Sequence, residues 1–280
     1  MSVIWGLPYL LIKVAVTDLA PPVVVFSRVL LAAAVLLPIA IARGQLRQLR
    51  GHMRWVIAFA VIEMTIPWLL LTFAETRLTS SLTGLLIAAV PILAAILAVL
   101  LHLDDRLTGT RLLGLAIGLS GVGALVGLDA GTSNLLAVGA LAICALGYAV
   151  GPIIVSEKLG DAPSLAVIAV SMTINVVIYA PAAWILRPTT PVPATAWWSV
   201  VALGLVCSAL AFVLFFALIS EVGPSRTTVI TYLNPAVAVL LGVAVLGEPI
   251  TPGILIGFPL VLLGSYLATR RTRIPVTVEP

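Results

Sequence analysis

Three ionisable residues lie inside long apolar runs of this chain: Lys13, Arg28 and Glu63. A charge in the middle of a bilayer costs about 3 kcal/mol or more, so such residues face a cavity or a partner. Trp5, Tyr9 and Lys13 are spaced i, i+4, i+8 and share one helix face. Two rings and a cation on one stripe suit a small carboxylate-bearing or aromatic metabolite. The plainer reading is packing rings and a lysine that snorkels to the headgroups. Arg28 cannot shed its proton, so it needs an acid partner or an anionic substrate. Glu63, near the middle of its run, is either a permanent partner that locks Arg28 in place or a proton carrier. A carboxyl there can be neutral when dry and charged when water or a cation reaches it. Pro67 and Trp68, about one turn later, kink that run and add a ring.

Further along, the stripes are polar instead of charged. Ser171, Asn175 and Tyr179 recur at i, i+4, i+8, and Thr227, Thr231 and Asn234 precede Pro235. Asn234-Pro235 frees backbone carbonyls at a depth where that is tolerated only beside a cavity or inside protein. Each stripe reads equally well as hydrogen bonding between helices, worth ~0.6 kcal/mol a contact. Other chemistries lack their residues. His52 and His102 fall between apolar runs, and every Asp lies outside them. There is no His-Glu-x-x-His, no pair of membrane aspartates and no serine with a histidine base at membrane depth. There is no phosphate-binding Gly-x-x-x-x-Gly-Lys-Ser/Thr loop and no potassium-filter sequence. The chain does not read as an enzyme, and no cofactor or metal is expected.

The elements that must position these residues follow from composition. The chain has 280 residues, 61% hydrophobic and 9% charged, with a mean hydropathy of +1.22. Soluble domains carry roughly a quarter charged residues, so this is an all-α membrane protein whose helices are apolar all round. Ten spans fit, at 2–17, 22–42, 55–74, 82–101, 110–128, 134–156, 164–186, 197–219, 226–246 and 252–269. The first would reach only about 24 Å, short of a full hydrocarbon core. With no basic segment before it, it does not read as a cleaved signal; a late start codon or a trimmed terminus would explain it. Cys144 and Cys207 fall within apolar runs and read as packing residues. The net charge of +4 sits in short loops and does not point to nucleic acid.

The chain also repeats itself. Pro91 to Gly121 and Pro235 to Gly264 share a proline-led apolar helix, an acidic turn and a glycine-bearing helix. Asp105, Thr108, Gly114 and Gly121 match Glu248, Thr251, Gly257 and Gly264. The boundary falls at the polar turn Asp129–Asn134, giving five-helix units over 1–130 and 131–273 and a cytoplasmic tail over 274–280. An odd number of spans per unit makes the two repeats inverted, related by a pseudo-two-fold axis in the membrane plane. In this register Tyr148 matches Trp5, Ser156 matches Lys13, and Ser171 matches Arg28. Charge at membrane depth thus belongs to the first unit alone. The expected central cavity is lined by Trp5, Tyr9, Lys13, Arg28, Glu63 and Trp68 from one unit and by Tyr148, Asn175, Thr231 and Asn234 from the other.

Trp5-Gly6 with Lys13 after it, Arg28, the Pro91 and Asn234-Pro235 helices, and Leu246-Gly247-Glu248-Pro249-Ile250-Thr251 followed by Gly257 and Gly264 resemble the EamA family of the drug/metabolite transporter superfamily. The resemblance covers essentially the whole chain. The first-unit turn departs from the usual Gly-Glu-Arg-Leu, reading Leu103-Asp104-Asp105-Arg106-Leu107. The resemblance implies a ten-span carrier, most simply an exporter of small amino-acid-like metabolites working by alternating access. An uncoupled exchanger and a non-transporting scaffold are its rivals. Partners would be a small-molecule substrate, the lipid bilayer of the plasma (inner) membrane and, if Glu63 titrates, protons.

Small-xxx-small pairs mark where helices touch: Gly114/Gly118, Gly123/Gly127, Gly147/Gly151 and Gly253/Gly257. The chain is expected as a monomer, or as a homodimer through the fifth and tenth spans. Glu248 and Asp105 are expected as solvated caps at helix starts. Orientation follows from Lys and Arg. With both termini cytoplasmic, the inner loops and tail hold eleven of them and the outer loops only Arg77 and Arg187. A thiol introduced at Gln48 should therefore stay unlabelled by an impermeant reagent outside intact cells, and one at Thr190 should react. The reverse pattern would refute this topology.

Overall fold

Lipid offers backbone N–H and C=O groups no partners, so a chain this apolar must bond them within helices. The computed structural model describes residues 1–101, 108–130, 134–222 and 230–269, and among these every regular element is helical. Among the described residues, eight stretches are long and apolar enough to cross a membrane: Pro21–Ala42, Gln45–Glu75, Ser80–Leu100, Gly109–Asp129, Leu135–Lys158, Ser164–Ile185, Ala194–Leu218 and Pro252–Thr269. Two shorter apolar helices, Ser2–Ala15 and Leu233–Leu246, accompany them. The protein is a multi-pass membrane protein. Large apolar side chains such as Leu100, Leu136, Leu240 and Leu255 are more than half exposed around the bundle. Trp184 and Trp198 project at helix ends, where amphipathic rings suit the headgroup level.

The helices are numbered in chain order: α1 Ser2–Ala15, α2 Pro21–Ala42, α3 Met53–Phe59, α4 Ile66–Glu75, α5 Ser80–Ile87, α6 Val90–Leu100, α7 Gly109–Leu125, α8 Leu135–Lys158, α9 Ser164–Ile185, α10 Ala194–Gly204, α11 Ala211–Val222, α12 Ile230–Leu246 and α13 Pro252–Thr269. Several spans predicted as single helices are broken. A π-helical turn, Ala60–Thr65, joins α3 to α4, and another, Leu205–Leu210, joins α10 to α11. In each, a hydroxyl meets a carbonyl five residues back: Ser208 Oγ donates to Leu203 O at 2.8 Å, and Thr65 Oγ1 lies 3.0 Å from Ala60 O, sharing its one proton between that carbonyl and Asn175 Oδ1. These are the carbonyls that the wider turn leaves short of donors. Pro91 has no N–H to give, and the chain breaks at Ala88–Ala89 just before it. The freed Ala88 carbonyl accepts from Ser265 Oγ at 3.1 Å.

The two halves interlock. α2 packs on α9, α7 on α13, α1 on α12 and on α10, and α8 on α4 and α6. Taken span by span, exchanging the halves maps these contacts onto one another or onto themselves, although α8 meets the third span chiefly after its π turn and α1 meets the eighth chiefly before its own. The glycine rows explain the closest approaches. A Cβ at Gly264 would meet the backbone of Gly118 and Gly114, and one at Gly257 would meet Gly121 O. The fifth and tenth spans thus use these glycines against each other inside one chain. Gly123 and Gly127 have open space beside them. The loop expected as a polar turn at Asp129–Asn134 begins differently: Asp129 closes a π-helical turn, Val126–Ala130, and binds the start of α13. Its Oδ2 accepts from Thr251 Oγ1 at 2.5 Å and its Oδ1 from Gly253 N at 3.2 Å.

Candidate functional site: a central cavity

A cavity of about 770 Å³ lies within the bundle, which is ample for a metabolite of amino-acid size. Trp5, Tyr9, Arg28, Glu63, Trp68, Tyr148 and Asn234 all line it, so seven of the ten expected residues come together there. The cavity runs from Tyr9, Arg28 and Glu63 to Leu159 and Ser164, at the bundle end that carries the Arg43–Arg54 loop. Its walls are mostly apolar. Phe212, Phe215 and Phe216 of α11 form one of them, with the Trp5 ring 4.7 Å from that of Phe215 and 6.0 Å from that of Phe212. Four prolines, Pro8, Pro91, Pro152 and Pro235, also face it, in keeping with broken or weakened helix backbone at a cavity wall.

Arg28 is buried, and three features hold it. Its Nε donates to Ser208 Oγ at 2.8 Å, its guanidinium lies 3.8 Å from the centre of the Trp68 ring, and it faces the cavity. The polar neighbours that act on it are Tyr148, Cys207 and Tyr9; none is a carboxylate. The Arg28–Glu63 pair, one of the two readings open for Glu63, is not formed. Glu63 turns toward α8, where Gly151 leaves room for its carboxyl and Gly147 receives the Ile62 carbonyl. Glu63 Oε2 is buried with no hydrogen-bond partner.

The remaining expected residues lie elsewhere. Lys13 does not line the cavity. Its ammonium donates to the carbonyl oxygens of Glu75 and Leu78, both at 2.7 Å, at the opposite end of the bundle. A cation at a helix C-terminus meets carbonyls that have no partner within the helix, and the site is favourable for it. Asn175 is also outside the cavity. It is fully buried; its Nδ2 donates to Ser171 O at 2.8 Å, and its Oδ1 accepts from Thr65 Oγ1 at 2.8 Å. Tyr179 Oη donates to the Thr65 carbonyl. The Ser171–Asn175–Tyr179 stripe therefore braces the first π turn by hydrogen bonds between helices. Thr231 falls within α12, but its side chain is outside the described residues, as are Thr227 and Asp105.

Glu248 corrects another expectation. It is no solvated cap on its own helix. Its carboxylate reaches the start of α5, accepting from Ser80 N at 2.7 Å, Ser81 N at 2.9 Å and Ser81 Oγ at 2.5 Å. An anion on free N–H groups at a helix start is strongly placed. Sequence reasoning also missed Ser208 and Glu75. Placing the two π turns in register sets Ser208 opposite Glu63, a correspondence that only the structure reveals, because the sequence register falls short of it.

Two matches to one family model cover residues 1–127 and 135–270, and the chain belongs to the EamA-like transporter family. Among its relatives, a probable terminal-alkyne amino-acid exporter of Streptantibioticus cattleyicolor is 29% identical, over 96% of this chain and 91% of that protein. The uncharacterized inner membrane transporter YedA of Escherichia coli is 26% identical over 95% of this chain and 90% of its own length. A crystal structure 22% identical in sequence superposes with a TM-score of 0.68, covering 96% of this chain and 94% of the other, and so shares the fold.

Replacing Ser208 by Ala should leave the Arg28 Nε–H without its acceptor. That should lower unfolding stability by about 1–3 kcal/mol, read as a lower Tm in detergent, while Ser208→Thr should retain most of it. An unchanged Tm for the alanine variant would show that the bond contributes nothing.

Proposed function

We propose that this protein is a ten-span secondary carrier that moves small amino-acid-like carboxylates out of the cell by alternating access. One observation carries the reading: a permanent cation, Arg28, faces a largely apolar cavity and forms no ion pair among the described residues, the Glu63 carboxyl in the same lining being turned toward α8. A buried charge without a counter-charge is unfavourable, and a substrate carboxylate can supply what is missing through charge-assisted hydrogen bonds. Trp5, Tyr9, Trp68, Tyr148 and the phenylalanines of α11 would take an apolar or aromatic side chain, and Asn234 would serve a polar group. The exporter among the relatives acts on an amino acid by its name, which agrees with this choice.

The inverted-repeat architecture is part of the proposal, with units at 1–130 and 131–273. The family match in each half, the recurrence of a π turn in the third span of each half and the exchange of contacts between halves support it. Ser2–Ala15 and Ile230–Leu246 complete the count of ten. The Lys and Arg distribution supports cytoplasmic termini in the inner membrane, and the relative YedA is named for that membrane. Each chain encloses its own cavity, so a monomer suffices.

A second reading, coupling to protons, is favoured by the unpartnered Glu63 Oε2 at the cavity wall. A carboxyl exposed to one side and then the other, and not tied to Arg28, is what a proton-coupled carrier requires.

Both readings are tested by uptake of a labelled metabolite panel into proteoliposomes. Arg28→Gln should abolish carboxylate exchange while the protein stays monodisperse. Glu63→Gln should lose accumulation driven by a pH difference and keep exchange across the membrane. Exchange at the wild-type rate by the Arg28 variant would remove the substrate assignment. Accumulation by the Glu63 variant under a pH difference alone would remove the coupling role.

A further inference from the structure

The bundle end opposite the Arg43–Arg54 loop, placed outside by the orientation above, is shut. Leu19, Leu78 and Leu82 are each no more than 3% exposed there, and Glu75, Ser80 and Ser81 are completely buried. Two polar ties cross this plug. Glu248, from the turn between α12 and α13, holds the first turn of α5; Lys13, at the end of α1, holds the carbonyls at the end of the span that closes with α4. Between them sits the Glu75 side chain. Both of its carboxyl oxygens are buried with no hydrogen-bond partner. The neighbouring Lys13 ammonium bonds to the Glu75 backbone carbonyl and not to this carboxyl. The groups that act on Glu75 are Lys13 and Tyr9 from α1 and Glu248 from the α12–α13 turn.

A bare carboxylate in this position would be a desolvated charge, unsatisfied at both oxygens, with a second acid close by. Such a group persists only if it is neutral or gains a partner. Gly242 leaves the room that the Glu248 and Ser81 groups occupy, so the plug is closely packed there.

We infer that Glu75 is a proton-binding site of the outer plug, occupied while the plug is closed and emptied to the outside when it opens. Parting Glu248 from Ser80 and Ser81 admits water, and Lys13 is then positioned to pair with the ionised carboxylate in place of the two carbonyls. The proton is released to the external solution as the Glu75 O–H bond breaks and taken back from it on closure. External acid therefore favours the closed plug and the inward-facing form. This site is distinct from Glu63, which faces the cavity, and it rests on the alternating-access reading only in that the plug must open.

Two measurements test it on the full-length protein in liposomes. In infrared spectra at neutral pH, the wild type should show a protonated-carboxyl band that Glu75→Gln lacks, with an unchanged Tm because the amide mimics the neutral acid. For the second, Leu82→Cys is placed in a background with Cys144 and Cys207 replaced by Ala and labelled from outside with an impermeant reagent. Rates are expressed relative to a thiol at Thr190 to cancel the reagent's own pH dependence. The relative rate should rise as the outside becomes alkaline, by up to about tenfold per pH unit for release of one proton. With Glu75→Gln it should be low and flat. The absence of a Glu75 carboxyl band, wild-type pH dependence in the Gln variant, or a relative rate in the wild type that ignores pH would each overturn the inference. Metabolite exchange is measured separately, so failure of the carrier reading would be seen there and not mistaken for failure of this site.

Discussion

The structure turns on a guanidinium that cannot be neutralised. Arg28 sits at membrane depth, where a bare charge is costly and where a lysine or a carboxylate could escape by changing protonation state. Arg28 has no such escape, so the protein must surround it. Trp68 offers a ring face, and Ser208 offers an oxygen from the other half of the chain. The Ser208 hydroxyl is available because the backbone there takes a wide π turn, whose Leu203 carbonyl in turn binds that hydroxyl's proton. The cation, the ring, the hydroxyl and the turn are thus one arrangement. It leaves the charge directed at a cavity and paired with no acid among the described residues.

The same logic of finding partners across the bundle recurs away from the cavity. Asn175 and Tyr179 on α9 brace the first π turn, as Ser208 in the second π turn binds Arg28 on α2. Glu248 and Asp129 each satisfy N–H groups at the start of a helix in the opposite half. Polar ties therefore join the halves, while glycine contacts let α7 and α13 meet along bare backbone. A bundle joined in this way can hold one end closed with a few directed bonds and still have the other end reached by the cavity.

The apolar runs, the acidic turns and the glycine pairs were legible because each depends on residue type and regular spacing. Trp5, Tyr9, Arg28, Glu63, Trp68, Tyr148 and Asn234 were found that way, and they meet at one cavity. The failures have separate causes. Reading faces from i, i+4 spacing assumes an unbroken helix, and one extra residue in a turn rotates everything beyond it by about 100°. The π turn at Ala60–Thr65 thus carries Glu63 toward Gly151 of α8 and away from Arg28. Lys13 shares the face of Trp5 and Tyr9 as predicted, but its long stem lets the ammonium leave that stripe for carbonyls at the bundle end. No local pattern marks a carbonyl as lacking a donor. Glu248 was misassigned for a similar reason: its partners lie in α5, more than 160 residues away in the chain.

The most direct test of the account is counterflow in proteoliposomes of an apolar amino acid against its carboxamide analogue, which lacks the carboxylate, with the wild-type protein. If Arg28 receives a carboxylate in the cavity, the acid should exchange across the membrane and the amide should neither exchange nor compete. Equal transport of acid and amide, or exchange of the amide alone, would contradict the account.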